Sequence, residues 1–190
     1  MHKLCLVFIA ASGLCAPAAR AQITNLPPTE LETFEAQTGT VMVKGAGQVG
    51  SLEVDALTIN VISRESLNAS TGRRQYGMAV EAGANDQRVW NKAVDYDEMD
   101  SLLNGLTYLA KIDYKVTAEP TFVASYVTRS GLRIGAFTSQ RRGVIQYFLQ
   151  DYSTNSVNSP RILITSAQLA QFQDLVEQTR KNLDSLQAVH

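Results

Sequence analysis

Short runs that are rich in β-branched residues or alternate between apolar and polar positions begin at Val41 and are typical of β-strands. The first half of the chain holds four such runs, VMVK, SLEVDALTINVIS, QYGMAVEA and QRVWNKAV. In the second run the alternation changes phase at Asp55 and Ala56, which predicts a bulge or a tight bend. Polar segments at 68–74 and 83–86 separate the later runs and predict a loop and a turn.

An amphipathic helix is predicted after the fourth run, in DYDEMDSLLNGLTYLAKI. Its apolar residues recur at helical spacing: Met99, Leu102, Leu103, Leu106 and Leu109. Asp95, with Glu98 three residues later, matches a capping box that would begin this helix. Gly105 costs the helix up to about 1 kcal/mol relative to alanine, which favours a role in close packing.

The second half of the chain repeats this order of elements. Four further strands are predicted in TFVASYVT, LRIGAFTS, GVIQYFLQDY and RILIT. A second amphipathic helix follows in SAQLAQFQDLVEQTRKNLDSL, with Leu169, Phe172, Val176 and Leu183 on one stripe. Thr165 and Gln168 form its capping box.

The two halves can be superposed by their sequence landmarks. Arg73 and Arg74 fall on Arg141 and Arg142, and the two predicted capping boxes also correspond. We therefore predict an α+β fold built as an internally duplicated β4α–β4α unit, with two antiparallel sheets packed with two amphipathic helices. The repeats span about 39–115 and 120–188 within a single domain at 39–190, and residues 22–38 form an extended leader with one short helical turn after Pro28.

The beginning of the chain has the pattern of a secretory signal peptide. Lys3 is followed by an apolar run, and the segment ends in Ala19-Arg20-Ala21, an A-x-A cleavage pattern. We expect cleavage near Ala21 and a periplasmic or extracellular protein. Cys5 and Cys15 both lie in this segment, so the exported product would have no disulfide. No later stretch is apolar for long enough to span a bilayer.

The ββββα-ββββα order is similar to the duplicated fold of the whirly and purine-rich-element-binding proteins, which bind single-stranded nucleic acid. The order of elements carries this resemblance, and no sequence motif of the family accompanies it. We do not expect nucleic acid as the partner of this chain, because an exported protein rarely meets single-stranded DNA.

Several chemistries are excluded by residue type. His2 belongs to the predicted signal peptide and His190 ends the sequence, so Ser-His-Asp or Cys-His catalysis and zinc sites built on His or Cys are not expected. The sequence Gly45-x-Gly47-x-x-Gly50 has the spelling of a dinucleotide-binding loop but opens no predicted helix, so we interpret it as a flexible hairpin loop. We predict no catalytic residue, metal or cofactor.

The arginines are the best candidates for binding. The formal net charge of −1 becomes −3 without Lys3 and Arg20, yet 121–164 holds five arginines and one acid. This asymmetry can mark an anion-binding face, or one half can pack its charges against the other. The predicted binding residues are Arg73, Arg74, Arg129, Arg133, Arg141, Arg142 and Trp90. Arginine forks suit phosphate, sulfate or carboxylate, and Trp90 between Arg88 and Lys92 would stack on a ligand or cover a core edge.

Three functions remain open from the sequence. The first is an exported, non-catalytic binding protein whose partner is a protein or an anionic polymer. The second is a carboxylate-dependent glycan hydrolase, which needs two acids about 5 to 9.5 Å apart in an open cleft. The third is an envelope chaperone or assembly factor that adds a strand of its partner to a sheet edge.

Overall fold

The computed structural model describes residues 26–84, 87–138, 144–152 and 160–189. They form an α+β fold with two antiparallel four-stranded sheets. The elements are α1 (Glu30–Glu35), β1 (Met42–Val54), β2 (Leu57–Asn68), β3 (Arg74–Ala84), β4 (Gln87–Asp95), a 3-10 turn (Tyr96–Glu98), α2 (Met99–Ala110), β5 (Val123–Val127), β6 (Leu132–Thr138), β7 (Ile145–Asp151), β8 (Ile162–Ile164) and α3 (Ser166–Val189).

Each sheet keeps its strands in chain order, β1-β2-β3-β4 in the first and β5-β6-β7-β8 in the second. Four strands followed by a helix occur in each half, as predicted. The origin of the two halves by duplication stays a prediction, because a shared order of elements does not establish it.

One hydrophobic core joins both sheets with α2 and α3. Helix α3 packs on β1 and β2, α2 packs on β5 and β6, and the two helices contact each other. The helical stripes predicted from spacing supply much of this core: Met99, Leu102, Leu106, Leu109, Leu169, Phe172, Val176 and Leu183 are all buried. A Cβ on Gly105 would lie only 2.8 Å from the nearest ring carbon of Tyr126, so the glycine lets α2 approach β5.

Two predictions about the first sheet have different outcomes. Asp55 and Ala56 form the turn between β1 and β2, and Asp55 adopts a positive φ of 51°, so the tight bend is confirmed. The glycine motif at 45–50 is not a hairpin loop. It lies inside β1, paired with β2, with a bulge between Gln48 and Gly50. A Cβ on Gly50 would come within 2.5 Å of Leu175, so this glycine makes room for α3.

The segment before β1 belongs to the fold. Helix α1 begins at the predicted place after Pro28, with a capping box between Thr29 and Glu32. Leu31 and Phe34 are buried, and α1 packs against β2, β3 and β4. The leader prediction was therefore right about the helical turn, while this turn also covers part of the outer face of the first sheet.

Candidate functional site

The arginines in the described part of the chain divide into groups by what their guanidinium contacts. Most face carboxylates: Arg64 with Glu35, Arg74 with Glu65, Arg88 with Glu81, Arg129 with Asp95 and Asp97, and Arg180 with Asp100 and Asp184. Arg133 and Arg161 contact aromatic rings and pair with no described carboxylate, and Arg133 Nε also donates to Ser125 Oγ at 3.1 Å. Because a guanidinium paired with a carboxylate has fewer donors left for an external anion, Arg133 and Arg161 are stronger candidates for anion binding than these five arginines.

Of the two predicted arginine loops, the structure describes the one that contains Arg73 and Arg74. Arg73 is exposed in the turn between β2 and β3, and it forms no ion pair with any described residue. Its neighbour Arg74 begins β3 and is half-buried in its ion pair with Glu65. Arg141 and Arg142 lie outside the described residues. The meeting of the two loops in one anion site therefore stays a prediction.

Arg129 is part of a structural junction. It lies in the turn between β5 and β6, and its two terminal nitrogens donate to both carboxylate oxygens of Asp97 at 2.8 and 2.7 Å. Its backbone N–H donates to Glu98 Oε1 at 2.9 Å. Hydrogen bonds to Asp97 and Asp95 raise the pKa of Arg129. The side chain thus ties the second sheet to the acids before α2, which leaves it less suited to bind a ligand.

Asp95 does not cap the helix that follows it, contrary to the prediction. No side-chain cap is formed at the 3-10 turn or at the start of α2. The fully buried carboxylate of Asp95 accepts the backbone N–H groups of Glu30 at 2.8 Å and Leu31 at 2.9 Å, and it also pairs with Arg129. Asp95 therefore holds α1, an element far from it in sequence. The other predicted box is confirmed, since Thr165 and Gln168 exchange hydrogen bonds of 2.8 and 3.1 Å.

The two acids beside Asp95 have opposite electrostatic environments. Burial raises the pKa of Glu98, and its Oε2 has no hydrogen-bond partner among the described residues. The hydrogen bond from Arg129 lowers the pKa of Asp97. Ionised Glu98 therefore costs stability above its folded pKa, and this cost disappears as the pH falls below its unfolded value. Ionised Asp97 contributes stability above its unfolded pKa, and that contribution disappears as the pH falls through its folded value.

We expect the free energy of unfolding of Glu98→Gln to increase relative to that of wild type as the pH rises from about 4 to about 7, because the variant has no buried carboxyl group to ionise. The glutamine keeps an oxygen that can accept the N–H of Arg129. Urea unfolding at both pH values measures the difference. Asp97→Asn is the matched control with the opposite expected sign. A Glu98→Gln difference that stays constant between the two pH values would contradict the assignment.

A group of five residues, which we call the arginine–aromatic face, lies on the outer side of the second sheet: Arg133, Phe137, Phe148, Tyr152 and Arg161. The guanidinium carbon of Arg161 is 4.6 Å from the Phe148 ring centroid and 5.4 Å from that of Phe137. The guanidinium carbon of Arg133 is 5.5 Å from the Phe148 centroid and 5.3 Å from that of Tyr152. Arginines and rings therefore alternate across the face.

Phe148 is the centre of this face and is fully buried, although it points away from the main core. It is paired across the strands with Gly135, and a Cβ on this glycine would come within 2.5 Å of the ring. The ring thus lies over the β6 backbone, with Phe137 packed edge-on at a centroid distance of 5.9 Å. Burial of the ring beneath the two arginines holds their guanidinium groups in place at about 0.5–1 kcal/mol per cation–π contact.

The outer face carries no acid among its described residues. Asp151, the acid at the end of β7, instead lies on the inner side and pairs with Lys92. Aliphatic residues flank the arginines on both edge strands: Val123 (53% exposed) and Val127 (36%) on β5, and Leu163 (47%) on β8. Tyr152 is 46% exposed. No described helix packs on this side, which leaves a surface of cationic, aromatic and aliphatic groups.

Trp90 lies in the main core and is only 6% exposed, so its ring is not open to stack on a ligand. Its Nε1 has no hydrogen-bond partner in the part of the chain that the structure describes. Of its two basic neighbours, Arg88 is exposed and pairs with Glu81, while Lys92 is buried and pairs with Asp151 at 2.7 Å. The core-edge interpretation therefore describes Trp90 better than the stacking interpretation.

Arg161 was missed as a candidate, although the sequence contains a signal for it. It alternates with Ile162 and Ile164, which face the core, so the period of a strand places Arg161 on the opposite side. The same alternation places Arg133 opposite Leu132 and Ile134. Reading both strands by parity would have brought the two arginines together on one face.

The acids beside α2 contact neighbouring elements of the fold. Asp95 holds α1 and Arg129, and Glu98 receives the Arg129 backbone. Within the described ranges no group of three His, Cys, Asp or Glu residues could hold a metal ion. A cleft of about 730 Å³ lies at the hairpin end of the first sheet, with Glu81 and Arg88 in its lining, and it includes neither Asp95 nor Glu98.

None of the described helices is long and apolar enough to span a membrane. Comparison of the chain with protein-family models, with curated proteins and with solved structures found no match. The resemblance to the whirly and purine-rich-element-binding proteins is therefore limited to the order of elements.

Proposed function

We propose that this chain is an exported, non-catalytic binding protein that holds an anionic partner on the arginine–aromatic face. One observation carries the proposal: Arg133 and Arg161 project from a face that has no described acid, whereas five other arginines of the described ranges pair with carboxylates. Arg133 uses its Nε–H on Ser125 Oγ, and the terminal N–H groups of both guanidinium groups make no hydrogen bond to a described carboxylate, so they are donors that a ligand can use.

The stacking of these arginines also favours binding. A guanidinium that lies against a ring keeps its N–H donors at its edge, where carboxylate, sulfate or phosphate oxygens can reach them. Its contact with the Phe148 ring restricts the side chain before any ligand arrives. The entropy lost on binding is then smaller than for a freely rotating arginine.

Export is part of the proposal and rests on the signal-peptide pattern that ends at Ala21. The absence of cysteine after Cys15 means that the domain is stabilised by its core rather than by disulfides. The core shared by both sheets is consistent with that requirement.

The sheet-edge alternative receives less support. β1 is a 13-residue edge strand, which could accept a partner strand. It also carries Lys44 and a bulge at Gln48–Gly50, and both features are ones that natural sheets use to block strand addition.

The test is a salt titration of binding to heparin and to polyphosphate. The full chain is expressed in a bacterial host, and the protein is purified from the envelope or medium fraction. Mass spectrometry of the intact protein then identifies the cleavage site. We expect binding that weakens steeply with salt. The double variant Arg133→Gln/Arg161→Gln should lose at least about tenfold in affinity, which corresponds to 1.4 kcal/mol.

Two control variants separate the candidate surfaces. Arg88→Gln removes one exposed arginine from the first sheet and should bind as wild type does. Arg73→Gln/Arg74→Gln tests the loop before β3. Equal binding by wild type and by a folded Arg133→Gln/Arg161→Gln protein would overturn the assignment of the face, and recovery of the protein only from the cytoplasm with its leader intact would overturn export.

A further inference from the structure

We propose that the occupant of the arginine–aromatic face is a segment of another protein that combines acidic with aliphatic side chains. This inference rests on the proposed function and specifies its partner. It follows from the residues that surround the two arginines rather than from the arginines alone.

The aliphatic flanks are the first argument. Val123 and Val127 lie on the β5 side of the arginines and Leu163 on the β8 side, and each is substantially exposed. A polymer that carries only charged and hydroxyl groups would leave these side chains without apolar contacts. A polypeptide can place carboxylates on the arginines and aliphatic side chains on the flanks, which resembles the arginine- and tyrosine-rich centre of protein–protein interfaces.

The spacing of the arginines is the second argument. Both guanidinium carbons lie close to the same Phe148 ring, at 5.5 and 4.6 Å from its centroid. The two guanidinium carbons therefore lie no more than about 10 Å apart. In an extended peptide, side chains on the same side repeat every two residues, about 6.6–6.8 Å apart. Two acids separated by one residue can span the distance between the guanidinium groups with their flexible side chains, and aliphatic neighbours lie two residues further on in each direction.

A second copy of this chain is a poor occupant. In a symmetric dimer through this face, the same patch would meet itself. Arg133 and Arg161 of one copy would then meet the same arginines of the other, and like charges in a desolvated contact repel. The partner must bring the carboxylates that the described face lacks.

The test is a selection of random peptides displayed on phage against the purified wild-type protein, with the Arg133→Gln/Arg161→Gln variant as a parallel target. We expect enriched peptides that combine acids at alternate positions with aliphatic residues, and that bind the variant at least about tenfold more weakly. Replacing the acids of an enriched peptide by glutamine, or its aliphatic residues by serine, should each weaken binding about tenfold.

The controls distinguish this inference from the proposal on which it rests. Arginine-dependent binding of polyphosphate or heparin without any enriched peptide would overturn the peptide partner and leave the anion site in place. Peptides that bind the variant equally well would also overturn it, as would a concentration-dependent dimer that is lost in the variant. Failure of every probe to bind a folded wild-type protein would overturn both proposals.

Discussion

Replacing Lys92 by methionine is expected to lower the free energy of unfolding by up to about 3–5 kcal/mol, because it removes the cation that pairs with a buried carboxylate. Lys92 on β4 and Asp151 at the end of β7 pair at 2.7 Å, and both side chains are nearly buried. The pair joins the first sheet to the second within the shared core. Its loss is comparable to a large part of the stability of an ordinary domain, about 5–15 kcal/mol.

Urea unfolding of the purified protein measures this loss. The informative control is the double variant Lys92→Met/Asp151→Leu, which removes both charges and should recover most of the lost stability. A single variant that unfolds at the wild-type urea concentration would show that the pair does not stabilise the contact between the sheets.

Asp95→Ala is expected to lower the free energy of unfolding by about 3 kcal/mol, because hydrogen bonds to a charged acceptor contribute about 1.5–3 kcal/mol each. The carboxylate accepts the N–H groups of Glu30 and Leu31 and pairs with Arg129. Its removal frees the first turn of α1 and uncovers the outer face of the first sheet beneath it.

Hydrogen exchange should locate this effect in the segment before β1. In Asp95→Ala, the protection of the Glu30 and Leu31 amides against exchange should fall further below the wild-type values than the protection of the strand amides does. Asp97→Ala is the matched control, since this carboxylate is half exposed and its pair with Arg129 should contribute no more than about 1 kcal/mol. Unchanged protection of α1 in Asp95→Ala would contradict the tie between Asp95 and α1.

The order of elements was predictable because strand and helix periods are local properties of the chain. Alternation located six of the eight strands, whereas the run at 51–63 crosses the turn at Asp55 and Ala56 and contains the end of β1 and the start of β2. Apolar spacing identified the faces of α2 and α3 that are buried. The box at Thr165 was also predictable, since both of its partners lie within one helical turn. The glycine motif was misinterpreted because glycine is depleted in strands, whereas here the missing side chain lets α3 approach Gly50.

The candidate site was harder to predict because it depends on which strands become neighbours. Asp95 matched a local capping pattern, yet its carboxylate accepts hydrogen bonds from the N-terminal end of helix α1, which only the tertiary fold brings near it. Arg129 and Arg133 are close in sequence and serve different purposes, one in an acidic junction and the other on an aromatic surface. Local sequence does not distinguish them, because their partners come from distant elements.

The covering of β1 and β2 by α3 also determines when the chain can finish folding. Gln168 and Gln171 donate to the backbone carbonyls of Glu53 and Ser51, and Leu175 packs over Gly50. The first sheet is complete in sequence by Asp95, but this part of its apolar side is covered only by the last helix. During synthesis that surface therefore stays uncovered until α3 has left the ribosome, so this part of the core closes only after all strands of the first sheet have been made.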